Sequence, residues 1–86
     1  MPHYVYMLLS VNSNSLITYV GYSIDPKRRL ALHNCGKGAK FTKGREWKII
    51  YKKKHKTKSE ALKFEYFLKK NIKLRKTIKE KYIYEH

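Results

Sequence analysis

Residues 4–26 read YVYMLLSVNSNSLITYVGYSIDP, and this stretch decides the fold. Tyr4 to Leu9 is an aliphatic and aromatic run with the composition of a strand. Asn12-Ser13-Asn14-Ser15 is a cluster of turn formers. Ile17 to Tyr22 is a second strand-like run, so the spacing predicts an antiparallel hairpin over residues 4–22. Asp25-Pro26 then marks a helix start. The Asp carboxylate can accept from free N–H groups of a first turn, and Pro suits the first helical position.

Working outward, the first helix should span 26–34 and stop at Gly36. Cys35 to Glu46 is rich in Gly and Lys, has no apolar periodicity and reads as a loop. A third strand is expected over 47–52, beginning at Trp47 and running into the basic segment Lys52-Lys53-Lys54-His55-Lys56. Thr57 or Ser59 can cap a helix over 58–72, and a short amphipathic helix should cover 75–83. With strands at 4–10, 17–23 and 47–52, the order is β-β-α-β-α-α. That order predicts an α+β fold: a small three-stranded antiparallel sheet flanked by helices. No repeat or linker divides the 86 residues, so 1–86 reads as one domain.

The charge narrows the partners. Lys and Arg total 21 against 6 Asp and Glu, a formal net charge of +15 with 42% hydrophobic residues. Such self-repulsion destabilises a compact domain until a polyanion neutralises it, and nucleic acid is the expected partner. Lysine-rich codon usage would raise the charge without function, but it does not explain the arrangement of residues below. A membrane surface is disfavoured, because no long basic amphipathic helix carries an aromatic-rich lipid face. No apolar run approaches the roughly 20 residues that span a bilayer. The start Met1-Pro2-His3 lacks signal-peptide character, and a single cysteine, Cys35, allows no internal disulfide. Together these lead us to expect a cytoplasmic protein.

Glu65 is the most informative residue. At about 100° per residue, Ala61, Phe64, Leu68 and Ile72 share one helical stripe, and Glu65 lies in its middle. A carboxylate there must be paired or bind a metal, and the pattern alone leaves both readings open. The remaining acids are Asp25, Glu46, Glu60, Glu80 and Glu85. They are too few and too scattered to build a two-metal centre, whereas one hard cation held by one carboxylate, water and phosphate oxygens remains affordable. Arg29 and His33 are four apart on the first helix, so they share a face. In a basic helix such a pair usually forms a solvated, phosphate-contacting surface. Tyr6 and Tyr19 sit on paired strands, where tyrosines usually pack half-buried; a functional role requires their hydroxyls to converge with Arg29 and Glu65. The loop Gly36-Lys37-Gly38-Ala39-Lys40 could present N–H groups and ammoniums to a phosphate. It is not a Walker motif, and no His/Cys set has zinc spacing.

Taken in order, these residues resemble the GIY-YIG endonucleases. Tyr4-Val5-Tyr6 and Tyr19-Val20-Gly21 look like the two motifs that name the family. The likeness continues through Ser23, Asp25, Arg29, His33, Asn34, the Gly36–Lys40 loop and Thr42, and ends with Ala61, Glu65 and Lys69. It is strongest to the small stand-alone branch related to the nuclease domain of structure-specific junction resolvases. Tyr4 replaces the motif glycine and valines replace the isoleucines, with no loss of a chemical group.

The resemblance implies a DNA endonuclease, possible roles in repair or recombination, and one divalent ion, Mg²⁺ or Mn²⁺, on Glu65. It implies that Arg29 contacts phosphate, that Tyr6 or Tyr19 activates water, and that His33 assists proton transfer. Gly21 would let the backbone turn close to the site. Lys37, Lys40, Lys43 and Lys69 are expected to contact structured or double-stranded DNA. The competing readings are a DNA- or RNA-binding module without catalysis, and an RNA-binding protein of ribosomal type. RNA fits the charge but does not explain Glu65.

The charge has a direct consequence: log affinity for DNA should fall steeply and linearly with log salt. A salt titration of binding that stays flat between low and moderate ionic strength would remove the polyanion argument.

Overall fold

The computed structural model describes residues 1–12 and 15–85. Three strands, β1 (His3–Asn12), β2 (Ser15–Ser23) and β3 (Lys48–His55), form one antiparallel sheet in the order β2-β1-β3. The helices are α1 (Pro26–Asn34), α2 (Lys58–Lys70) and α3 (Ile72–Glu85), with a 3-10 turn at Lys40–Thr42. The expected α+β fold, its element order and its antiparallel pairing are all present. The tip of the expected hairpin turn, residues 13 and 14, lies outside the described residues.

β1 is the central strand, and its sequence shows why. Val5, Tyr6, Met7, Leu8 and Leu9 are all buried, so the run is apolar on both faces rather than alternating. Val5 and Met7 point to one side, where they pack with Val20, Ala61 and Leu68, backed by Phe64, Leu74 and Ile78. Tyr6 and Leu8 point to the other side and pack with Trp47, Tyr19, Leu30 and Ile49. The sheet is therefore a wall. α2 and α3 cover one face, and α1 with the loop before β3 covers the other.

Several boundaries differ from expectation, each for a local reason. β3 starts at Lys48 and runs on to His55, through the basic segment. It is an edge strand, where exposed lysines are tolerated. Lys52 lies over the Tyr4 ring at 5.3 Å and Lys53 over Phe64 at 4.8 Å, so their stems still cover apolar surface. Thr57 is the cap of α2, accepting from the Glu60 N–H at 3.1 Å. α2 ends at Lys70 because Asn71 interrupts it. The Asn71 N–H closes the last turn of α2, and its side-chain oxygen accepts from the Leu74 N–H at 2.9 Å to start α3. Ile72 therefore belongs to α3 and is 72% exposed, not part of the α2 stripe. The core stripe of α2 is Ala61, Phe64 and Leu68, and it continues through Leu74 and Ile78 of α3. The segment 35–46, expected to be only loop, contains the 3-10 turn.

Gly21 has a different role from the one its motif suggests. It is not at a turn: it sits within β2 directly opposite Tyr6. A Cβ there would collide with the Tyr6 hydroxyl and ring. The glycine is the floor on which the Tyr6 ring lies. Gly21→Ala should overpack this contact and cost roughly 1–3 kcal/mol of stability. Thermal unfolding checks this, and an unchanged Tm would show that the Tyr6 ring can move aside freely.

Candidate active site

The face of the sheet under α1 gathers four of the five residues singled out for catalysis. Tyr6 and Gly21 pair across β1 and β2, and Leu8 and Tyr19 pair two residues on. Tyr6 and Tyr19 therefore project from the same face. α1 is fixed above them by its cap. The Asp25 carboxylate accepts from the Arg28 N–H at 3.3 Å, Pro26 occupies the first turn, and Ser23 Oγ accepts from the Asp25 N–H at 2.9 Å. One helical turn separates Arg29 from His33, so both reach down from α1.

His33 is wholly buried, and not part of a solvated face as its spacing with Arg29 suggested. Its Nε2 lies 3.0 Å from the Tyr6 hydroxyl and its Nδ1 lies 2.9 Å from Thr42 Oγ1. The tautomer follows from counting protons. The Thr42 hydroxyl has one hydrogen and donates it to the Ala39 carbonyl at 2.9 Å. Thr42 Oγ1 must then accept, so His33 Nδ1 carries the proton and donates it. Burial, and secondarily the Arg29 charge, hold the His33 pKa below its ordinary value, so the ring is neutral near pH 7. Nε2 is left with its lone pair, and the Tyr6 O–H donates to it.

Tyr6 is buried as well, and burial raises its pKa. Arg29 opposes that rise, through a hydrogen bond to the phenol and through its charge, while Tyr19 and Glu65 add to it. Three of the expected residues thus act on the electrostatics of the fourth. Arg29 Nε is buried and has no hydrogen-bond partner among the described residues. The Tyr19 ring lies 5.0 Å from that of His33.

Glu65 projects from α2, the helix on the other face of the sheet. It is partly buried, with 18% side-chain exposure, and pairs through Oε2 with Lys69 at 3.4 Å. Lys69 is 52% exposed, so the carboxylate does not neutralise a buried cation. An i,i+4 pair with one exposed partner contributes about 0.3–0.5 kcal/mol. Among the described residues no three His, Cys, Asp or Glu side chains gather as a metal cluster. The donor set fits a hard divalent ion with one protein carboxylate, the rest of the shell being water and phosphate oxygens. Lys37, Lys40 and Lys43 are exposed on the loop beside the site, whereas Lys69 is engaged with Glu65.

Three residues that anchor the site had no role assigned from sequence. Thr42 fixes the His33 tautomer. Asn34 clamps the strand entrance: its Oδ1 accepts from the Trp47 N–H at 2.6 Å and its Nδ2 donates to the Trp47 carbonyl at 3.2 Å. The Trp47 indole N–H donates to the Thr42 carbonyl at 3.0 Å. Together they tie the loop to the end of α1. Gly38 completes the pocket, since a Cβ there would strike the His33 ring. The available signal was an Asn, a Thr and a Trp placed where a Gly- and Lys-rich loop would otherwise be unconstrained.

The GIY-YIG catalytic domain family matches this chain over residues 2–83. A UPF0213 protein of Staphylococcus epidermidis is 47% identical over 68 residues, covering 78% of this chain and 79% of the relative. A UPF0213 protein of Bacillus licheniformis is 44% identical over 84 residues, covering 96% of this chain and 80% of the relative. Among solved structures, the solution NMR structure of a UPF0213 protein from Bacillus halodurans is 37% identical, with a TM-score of 0.48, covering 90% of this chain and 80% of that one. With residues 2–83 matched by the family model and relatives 44–47% identical over most of its length, the chain belongs to the GIY-YIG catalytic domain family.

Proposed function

We propose that residues 1–86 act as one metal-dependent endonuclease domain that hydrolyses DNA phosphodiester bonds, with branched or otherwise structured DNA of the repair and recombination type as its target class. The observation that carries this reading is the chain Tyr6 hydroxyl, His33 Nε2, His33 Nδ1, Thr42 Oγ1, set beside Arg29. A buried phenol aimed at the lone pair of a neutral imidazole is a proton-transfer arrangement.

In this mechanism a water attacks the phosphorus. The Tyr6 oxygen takes a proton from that water as its own hydroxyl proton passes to His33 Nε2, and Thr42 steadies the resulting imidazolium through Nδ1–H. Tyr19 walls the site and keeps solvent off the His33 ring. Arg29 offers guanidinium donors to the phosphate oxygens, where negative charge builds in the transition state. Glu65 would hold the Mg²⁺ or Mn²⁺ ion, which when bound supplies positive charge for the leaving oxygen. Lys37, Lys40 and Lys43 would hold the DNA backbone against the site, and Lys69 would move from Glu65 to phosphate when the ion binds.

The test is metal-dependent cleavage of linear, nicked, flapped and four-way DNA by the wild type and two variants. Arg29→Ala should cut the rate by roughly 10²-fold or more while binding changes far less, and Arg29→Lys should restore it only in part. Glu65→Gln should abolish cleavage and leave DNA binding intact, with little stability lost in chelator, or some gained, because a largely desolvated carboxylate loses its charge. Near-wild-type cleavage by either Arg29→Ala or Glu65→Gln would remove that residue from the site. DNA binding without metal-dependent cleavage of any substrate would favour a binding module instead.

A further inference from the structure

Phe41 has no part in the mechanism above, yet it is the aromatic side chain placed most openly beside the site. Its ring is 55% exposed on the 3-10 turn, in a loop whose Lys40 and Lys43 are also exposed. On its inner side it stacks on Tyr19, with centroids 6.2 Å apart and planes 21° from parallel, and meets Trp47 at 6.3 Å. Tyr19 in turn contacts Trp47 edge-on at 6.4 Å and His33 at 5.0 Å. These rings form one cluster, with Trp47 buried in the core and Phe41 at its solvent edge.

A single exposed apolar residue is ordinary and calls for no explanation by itself. Phe41 differs in how firmly it is held. The next residue, Thr42, is fully buried and bonded to His33 and to Ala39, and the Thr42 carbonyl is bonded to the Trp47 indole. The backbone under Phe41 is thus part of the scaffold that fixes the catalytic imidazole. The outer ring surface is presented to solvent on a rigid, positively charged loop. Aromatic rings among lysines are the means by which proteins bind unpaired nucleotides, the rings stacking on bases and the ammoniums holding the backbone.

We propose that Phe41 is a base-stacking platform that selects DNA carrying an unpaired nucleotide next to the phosphate to be cut. The proposal rests on the nuclease reading and narrows its substrate. A base inside a duplex has both faces covered and can reach Phe41 only after unstacking and unpairing. A base at a bulge, flap or branch has lost some of that protection already. Ring contacts run from Phe41 through Tyr19 to His33 and on to the Tyr6 hydroxyl, so a base held on Phe41 lies on the same face of the sheet as the chemistry. A ring that merely shields Tyr19 would be replaced adequately by leucine, whereas a stacking platform would be replaced only by another aromatic.

The test uses binding in chelator, so cleavage plays no part. Duplexes carry 2-aminopurine either paired or in a one-nucleotide bulge, and affinity and fluorescence are read for wild type, Phe41→Ala, Phe41→Leu and Phe41→Trp. Wild type should bind the bulged duplex more tightly and quench its fluorescence. Phe41→Ala and Phe41→Leu should lose roughly 5- to 150-fold in affinity for the bulged duplex, keep their affinity for the paired one, and lose the quenching; Phe41→Trp should retain all three properties. Equal wild-type binding to both duplexes would overturn the proposal, and so would preference and quenching that survive in Phe41→Leu. A wild type that shows this Phe41-dependent binding but never cuts with Mg²⁺ or Mn²⁺ would refute the nuclease reading while leaving the platform standing.

Discussion

The buried imidazole of His33 is the constraint on which the rest of this face depends. A fully buried ring with two nitrogens needs two polar partners, and the fold supplies them from distant points in the sequence. Tyr6 comes from the central strand and Thr42 from the 3-10 turn before β3. Gly21 leaves space for the Tyr6 ring and Gly38 leaves space for the imidazole. Asn34 and Trp47 bind the loop back to α1 so that Thr42 stays in place. If Tyr6 or Thr42 is lost, a buried nitrogen of His33 is left unsatisfied, which costs about 1–3 kcal/mol. Stability and site geometry are thereby linked.

The two faces of the sheet divide the work. The face under α2 and α3 is an ordinary aliphatic core around Val5, Met7, Ala61 and Leu68. The face under α1 is aromatic and polar, and holds the tyrosines, the arginine and the histidine. Glu65 projects from α2, and its charge adds to the rise of the Tyr6 pKa. Among the described residues its carboxylate has an exposed lysine, Lys69, as its ion-pair partner. The lysines are spread over the loop, the edge strand β3 and the helices α2 and α3, and on β3 the Lys52 and Lys53 ammoniums lie over the Tyr4 and Phe64 rings.

Much of this was legible in the sequence. The apolar run Tyr4–Leu9, the returning run to Tyr22 and the Asp25-Pro26 start were enough for the hairpin and the first helix, because each is set by local chemistry. The motif order pointed to Tyr6, Tyr19, Arg29 and His33, which the fold brings to one face. What was not legible depended on contacts between distant residues. Four-residue spacing places Arg29 and His33 on one face but cannot tell that the face is covered. Helical periodicity ran straight through Asn71, so Ile72 was grouped with a stripe it does not join. Gly21 suggested a turn, yet its role is set by the strand opposite. Phe41 and Thr42 lie in a segment without periodicity, where only the tertiary partners, Tyr19, Trp47 and His33, give them meaning.

The proton-transfer chain requires a neutral His33 that holds its proton on Nδ1 and offers Nε2 to Tyr6. Long-range proton–nitrogen NMR correlations of the His33 ring, recorded across the neutral and mildly acidic range in metal-free protein, report both the tautomer and the charge. The expected result is an Nδ1-protonated neutral ring at pH 7 that stays neutral below the ordinary histidine pKa of about 6.5. An Nε2-protonated ring, or an imidazolium already present at pH 7, would contradict it, because the Tyr6 hydroxyl would then have no acceptor for its proton.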